Sequence, residues 1–244
     1  MSTVKADTVQ PKDSGTDITL GAAGDTVTVA ANSINVNKVQ DKGGNTLWDY
    51  STGVFVSSKK EFASQNLKLL STQTASSSAS VSFRTGIDST YDVYCFKFID
   101  INVSAYCNFQ FNGSSNSGSN YNVTKTTTYF GAENYENNAS STLNYRAGND
   151  LAQSTAYQMM FQGADNGADD ACVGELWLYA PSSTTYVKNF LCSGNYKVQA
   201  STGASTNFFV GGYFNTTSAI NAFNFNTTSG TFDGTIKLYG ISKS

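Results

Sequence analysis

Nine times between residues 91 and 241 the chain writes a short run of aromatic and β-branched residues and then breaks it with Gly, Ser, Asn or Thr. In YCNFQFN (106–112), Cys107, Phe109 and Phe111 fall on alternate positions. A period of two sends successive side chains to opposite faces of a pleated strand. The remaining runs are YDVYCFKFI (91–99), TKTTTYFG (124–131), AYQMMFQ (156–162), CVGELWLYA (172–180), TYVKNFLC (185–192), NFFVGGYF (207–214), AINAFNF (219–225) and GTIKLYGI (234–241). Their spacing and the turn residues between them predict an all-β fold, a jelly-roll-like sandwich. No long helical periodicity competes. Only residues 61–70, helix or strand, and ENNASSTLNYRAGNDLAQ (136–153) leave room for a short helix.

One phrase occurs twice, GELWLY at 174–179 and GTIKLYG at 234–240. Leu176 and Leu178 alternate with Glu175 and Trp177, and Ile236 and Leu238 alternate with Thr235 and Lys237. The pattern predicts two similar strands of one sheet, each with two aliphatic residues inward and a mixed outer face. Gly174 and Gly234 read as the ends of the preceding turns. Duplication and simple likeness between strands explain the repeat equally well.

Residues 1–60 read differently. Thr26-Val27-Thr28-Val29 and Ile34-Asn35-Val36-Asn37 alternate cleanly, yet large apolar residues are scarce before Trp48. Such a segment needs a partner surface, so 1–60 is expected to be a smaller β-rich attachment or shaft segment. Residues 61–80 are expected to be a connector, flexible by its Ser/Thr/Ala composition, although the KLL stretch suits a first strand. Residues 81–244 are expected to be the sandwich.

Composition narrows function. The 244 residues contain no histidine, which removes Ser-His-Asp and Cys-His nucleophiles and His-containing zinc sites. Charged residues are 14%, the net charge is −3, and Arg84 and Arg146 are the only arginines. A basic face for nucleic acid is therefore not expected. Cys95, Cys107, Cys172 and Cys192 have no CxxC spacing and read as buried thiols of a protein made in a reducing cytosol. The sequence shows no secretory h-region and no apolar run long enough to span a membrane.

Few residues qualify as a site. DNGADDACVGE (165–175) is the densest acidic stretch, and Asp165, Asp169 and Asp170 are weak calcium candidates. Counted from Asp165, the sixth position is Asp170 and Glu175 is eleventh, so the EF-hand pattern fails and a solvated hairpin loop competes. The glutamates Glu61, Glu133, Glu136 and Glu175 show no pairing pattern that glycoside hydrolysis would use. NGSSNSGSNYN (112–122) is a long polar loop. Asn112, Tyr121 and Tyr135 are the ligand-contact candidates, and Tyr121, Tyr135 and Trp177 suit stacking on carbohydrate. No catalytic residue and no cofactor is expected.

The stretches LKLLSTQTASSSASVSFRTGIDSTYDVYCFKF, YNVTKTTTYF, DLAQSTAYQ, GELWLYAPSSTTYVKNF and GGYFNTTSAINAFNFNTTSGTFDGTIKLYGI together resemble a family of structural virion proteins of tailed bacteriophages, common in phages of marine bacteria. The likeness covers about residues 67–244. VKADTVQ and AGDTVTV resemble the starts of phage fibre proteins. The resemblance implies a non-enzymatic virion component assembled in the host cytoplasm, of fibre or capsid-decoration type. Other virion proteins are the expected partners of the N-terminal segment, and a host surface glycan or another capsid protein is the expected contact of the outward loops of the head. A homotrimer suits the coreless N-terminal strands. A polysaccharide depolymerase and a lectin remain the alternatives.

Overall fold

A computed structural model of the chain describes residues 38–40, 46–49, 67–198 and 203–241. Its contacts divide the chain into two compact units, residues 1–63 and 64–244. In the first unit, β1 (Lys38–Gln40) and β2 (Thr46–Asp49) pair antiparallel, with a register break between Val39 and Gln40. The alternating stretches at 26–29 and 34–37 lie outside the described residues.

The second unit carries twelve strands. They are β3 (Lys68–Ser78), β4 (Ser80–Phe83), β5 (Val93–Val103), β6 (Cys107–Ser114), β7 (Lys125–Tyr135) and β8 (Ser141–Tyr145). β9 (Gln158–Ala164), β10 (Cys172–Tyr179), β11 (Lys188–Val198), β12 (Ala204–Phe214), β13 (Ala222–Thr227) and β14 (Phe232–Ile241) complete the set. All nine runs expected as strands are strands. Three more join them. β8 occupies the stretch expected to hold a short helix. β3 runs through the expected connector and β4 begins at its last residue, so the Ser/Thr/Ala run is an edge strand, hydrogen-bonded along β14 from Lys68 to Ser78. Ser and Thr satisfied by a neighbouring strand need no large side chains when one face stays wet.

The twelve strands form one antiparallel sheet that folds over on itself. Its larger part runs β8-β7-β12-β11-β10-β5-β14-β3, and its smaller part runs β9-β6-β13-β4. At one corner the chain passes from β3 into β4 through Ala79; at the other a single pairing, Val198 with Ala164, joins β11 to β9. The result is a nearly closed sandwich.

The repeated phrase has a topological meaning. β10 and β14 flank the same strand, β5, and Phe96 is opposite Leu176 on one side and Leu238 on the other. Leu176, Leu178, Ile236 and Leu238 are all fully buried. Gly174 and Gly234 lie inside strands rather than at turn ends, because both sit where backbones crowd. A Cβ on Gly174 would stand 2.6 Å from the Ser193 carbonyl oxygen. At Gly234, φ is +127° and a Cβ would stand 2.6 Å from the Asp100 carbonyl oxygen. Register shifts at both positions mark bulges, which bend the strands around the core.

The interior is aromatic. Phe225 on the smaller part meets Phe96 and Phe98 of β5 at ring-centroid distances of 5.1 Å each. Phe161 reaches Phe208 at 5.2 Å and Tyr196 at 5.4 Å. Most of these rings meet edge to face, which suits their quadrupoles. The four cysteines are buried and unpaired; burial pushes the Cys95 and Cys172 thiols up to about 12.

At one end the inward positions turn polar. Phe214 of β12 lies in register between Lys125 of β7 and Lys188 of β11, and all three are fully buried. The Lys125 ammonium hydrogen-bonds the carbonyls of Ala156 and Val123 and stands 5.8 Å from the centre of the Phe214 ring. Lys188 donates to the carbonyls of Tyr186 at 2.8 Å and Thr216 at 3.0 Å. Each lysine covers the core with its stem and ties incoming loops with its amine. Desolvation lowers the Lys125 amine to about 7 and shifts Lys188 the same way.

Candidate functional site

The inward face of the larger part of the sheet is covered by the smaller part. Among the described residues nothing covers its outward face, and the chain treats that face unusually. Three central strands carry apolar residues on both faces. Phe190 is inward and Leu191 outward on β11, Phe208 inward and Phe209 outward on β12, Tyr129 inward and Phe130 outward on β7. Leu191 keeps 56% of its surface exposed, Phe209 42% and Phe130 41%. Phe130 and Phe209 are cross-strand partners whose rings stack 5.1 Å apart at 14°. Such a pair is a fixed platform.

Between these large side chains the outward positions are small. Gly211 is opposite Leu191, and Ser193 stands between Phe209 and Glu175 on the neighbouring strands. Two depressions result, and they share Ser193, Glu175 and Phe209. One is walled by Phe130, Leu191, Trp177 and Tyr179. The other is a groove of about 590 Å³ bordered by Lys97, Val173, Asn195, Asn207 and Tyr239.

A charged pair stands in the middle of this apolar face. Lys97 of β5 forms an ion pair with Glu175, directly opposite it on β10. The Lys97 ammonium also lies 5.6 Å from the centre of the Trp177 ring. Partial burial alone would raise the Glu175 carboxyl; hydrogen bonds from Lys97 and Trp177 outweigh it and hold the carboxyl below its ordinary range. Burial works against the Lys97 ammonium too, and the same carboxylate lifts it above the ordinary lysine value. Both groups are therefore charged at neutral pH. Nearby, Asn195 donates to Ser205 Oγ at 3.0 Å and to Asn207 Oδ1, which orients two amides on the same face.

The candidates named from sequence are distributed elsewhere, apart from Trp177. Asn112 is fully buried, and its amide donates to the Thr155 carbonyl at 2.9 Å while its oxygen accepts from Gly113 N–H. It has no surface to offer a ligand: the expectation at Asn112 is corrected, because the residue lies on an inner strand and anchors a loop. Tyr121 is half-buried with its hydroxyl folded against Gly118. Tyr135 lines a polar depression with Glu136, Asp169, Asp170 and Lys197, so the structure does bring one aromatic candidate to two of the acidic ones. In the acidic loop, Lys197 supplies the positive charge. Its ammonium is 3.0 Å from Asp170 and 3.5 Å from Asp165, while Asp169 is exposed. Among the described residues no three His, Cys, Asp or Glu side chains converge as a metal site. Of the glutamates, Glu133 is paired with Arg146 and Glu175 with Lys97. Glu61 lies outside the described residues.

Sequence reading missed Leu191, Phe209 and Phe130 as surface residues. The signal was present in the doublets FL (190–191), FF (208–209) and YF (129–130). Two adjacent large apolar residues on a strand make both of its faces apolar. No family model, no curated protein and no solved structure matches the chain.

Proposed function

We propose that this chain is a structural virion protein that works by binding, a fibre-type appendage whose outward sheet face meets its partner. The observation that carries this reading is the bare face built on β7, β12, β11 and β10, with stacked rings, small-residue depressions and a central ion pair on a rigid scaffold. Sites on strands hold their geometry better than sites on loops. The sequence resemblance to structural proteins of tailed-phage virions supports the same reading.

The strand order lends further support. Eight strands run β3-β14-β5-β10 and β4-β13-β6-β9. In each set the early strands alternate with late ones, the order of a jelly roll. β7–β8 and β11–β12 then read as two inserted pairs that widen one sheet, and the wide sheet carries the bare face. Jelly rolls are common in capsid and lectin domains.

In this proposal residues 1–63 attach the chain to the particle and assemble it as a homotrimer, and residues 64–244 project. The test is native mass by light scattering for the full chain and for a chain beginning at Ser64. A threefold mass for the full chain and a single mass for the shorter one is the expected result. A monomer in both cases overturns the fibre reading and favours a singly docked decoration protein. Release of reducing ends from a bacterial polysaccharide by the full chain would overturn the non-enzymatic reading.

A further inference from the structure

We infer that the depression over Gly211 and Ser193 is a carbohydrate subsite that takes one pyranose ring of a neutral glycan chain between Phe209 and Trp177. This rests on the reading of the outward face as the binding surface and names the chemistry of its ligand.

Three observations carry it. The first is width. Phe209 of β12 faces Ser193 and Trp177 of β10 faces Leu191, so the two rings are two strand spacings and two residues of rise apart, a diagonal of about 12 Å. Allowing a van der Waals contact of about 4 Å on each side, that span suits one puckered ring rather than a helix or a strand. The second is chemistry. A sugar presents an apolar face of C–H groups and an equator of hydroxyls. The depression offers rings and Leu191 for the first, and Glu175, Ser193, Asn195 and Asn207 around it for the second. Specific small-molecule sites combine an apolar lining with a few oriented polar groups in this way. The third is the charged pair. The core of a protein–protein contact is depleted of charge, whereas Lys97 and Glu175 stand near the centre of this face with about a third of each side chain exposed. Hydroxyls can bond to both members without separating them; an apolar protein surface would only strip their water.

The floor gives a clean perturbation. A Cβ on Gly211 would meet Leu191 at 3.5 Å and the Thr128 hydroxyl at 3.6 Å, ordinary contacts, so a side chain fits there and fills the depression. Trp48 and Trp177 are the only tryptophans. In a full-length Trp48→Phe background, Trp177 fluorescence therefore reports on the subsite alone.

The experiment titrates that protein with maltohexaose, cellohexaose, chitohexaose and laminarihexaose. A saturable shift in Trp177 emission with at least one of them is the expected result. Gly211→Val should weaken it by about tenfold or more, and Phe209→Ser likewise, while Gly211→Ala preserves folding and most of the binding. No emission change with any of the four overturns the subsite. So does binding that Gly211→Val leaves untouched. Native mass measured on the same samples separates the two levels of the proposal. If no sugar binds but Gly211→Val lowers a concentration-dependent mass, the face is a surface between copies: the glycan falls and the binding face stands. If neither changes, both fall.

Discussion

Phe225 and Lys125 are both fully buried, one at the centre of the sandwich and one at its end. Phe225 has six aromatic rings within 6.5 Å. Lys125 has one ring and two carbonyl oxygens. Equal dryness thus arises in two ways. The centre is held by dispersion and the exclusion of water, which are indifferent to pH. The end is held by an amine that must shed its charge to sit comfortably, so its contribution depends on proton activity. The lesson is that burial alone does not say what stabilises a position.

The largest effect is expected at the centre. Phe225→Ala should cost about 3–5 kcal/mol, because six neighbours cannot collapse onto the void. Chemical denaturation measures it, and a loss under about 1 kcal/mol would mean the two parts of the sheet are not packed as described. The loss should be the same at pH 7 and pH 9, in contrast to the lysine end.

The next test separates the regions by pH. The folded-state value of Lys125, about 7, lies below the ordinary lysine value of 10.5. Between those values the unfolded chain holds a proton that the folded chain has lost, so stability rises with pH. From pH 7 to 9 the gain should be on the order of 1–2 kcal/mol, since a difference of one bound proton is worth about 1.4 kcal/mol for each step of one in pH. Above pH 9 the sign reverses. The four buried thiols ordinarily ionise near 9.0 but keep their protons when folded, Cys95 and Cys172 to about 12, so the folded state then binds more protons. Stability should therefore pass through a maximum near pH 9. A flat profile from 7 to 9 breaks the comparison.

Lys125→Met sharpens it. Methionine keeps the stem and removes both the titration and the bonds to Ala156 and Val123. The rise between pH 7 and 9 should shrink to what Lys188 supplies. Stability at pH 9 should fall by about 1–3 kcal/mol, the usual cost of leaving buried acceptors unmatched. The smallest effect is expected outside both regions. Glu175→Gln on the outward face should cost no more than about 1 kcal/mol, as partly exposed pairs do. A larger loss would make the Lys97–Glu175 pair a structural clamp.

The contrast also explains what could be read from sequence. Alternation in segments such as 106–112 marked the strands whose one face is fully apolar, and these built the centre. β3 was legible only in its opening KLL, because the rest of its sequence, STQTASSS, carries its strand identity in hydrogen bonds to β14 rather than in side chains. β8 was hidden for the same reason, as a short exposed edge strand. Lys125 and Lys188 occupy inward positions, yet a lysine in a strand ordinarily marks the wet face. Only the loops that fold over the end make those positions dry, and two of the acceptors, Ala156 and Thr216, stand 31 and 28 residues away from the lysines they hold. The candidate face was half legible. Trp177 stood out as a single large residue, while Gly211 and Ser193, which shape the depression, are informative only once β10, β11 and β12 are side by side.

The last strand, β14, lies between β3 and β5 and is hydrogen-bonded to both. Those two neighbours leave the ribosome long before the strand that joins them. A nascent chain therefore waits with two open sheet edges, and without Phe232, Ile236 and Leu238 of its core, until residues 232–241 arrive, a long-range closure of the kind that slows folding and exposes edges to wrong partners. Each copy is sealed along this one late seam, so its yield in a cell should depend more on how fast β14 finds its slot than on how tightly the finished sandwich is packed.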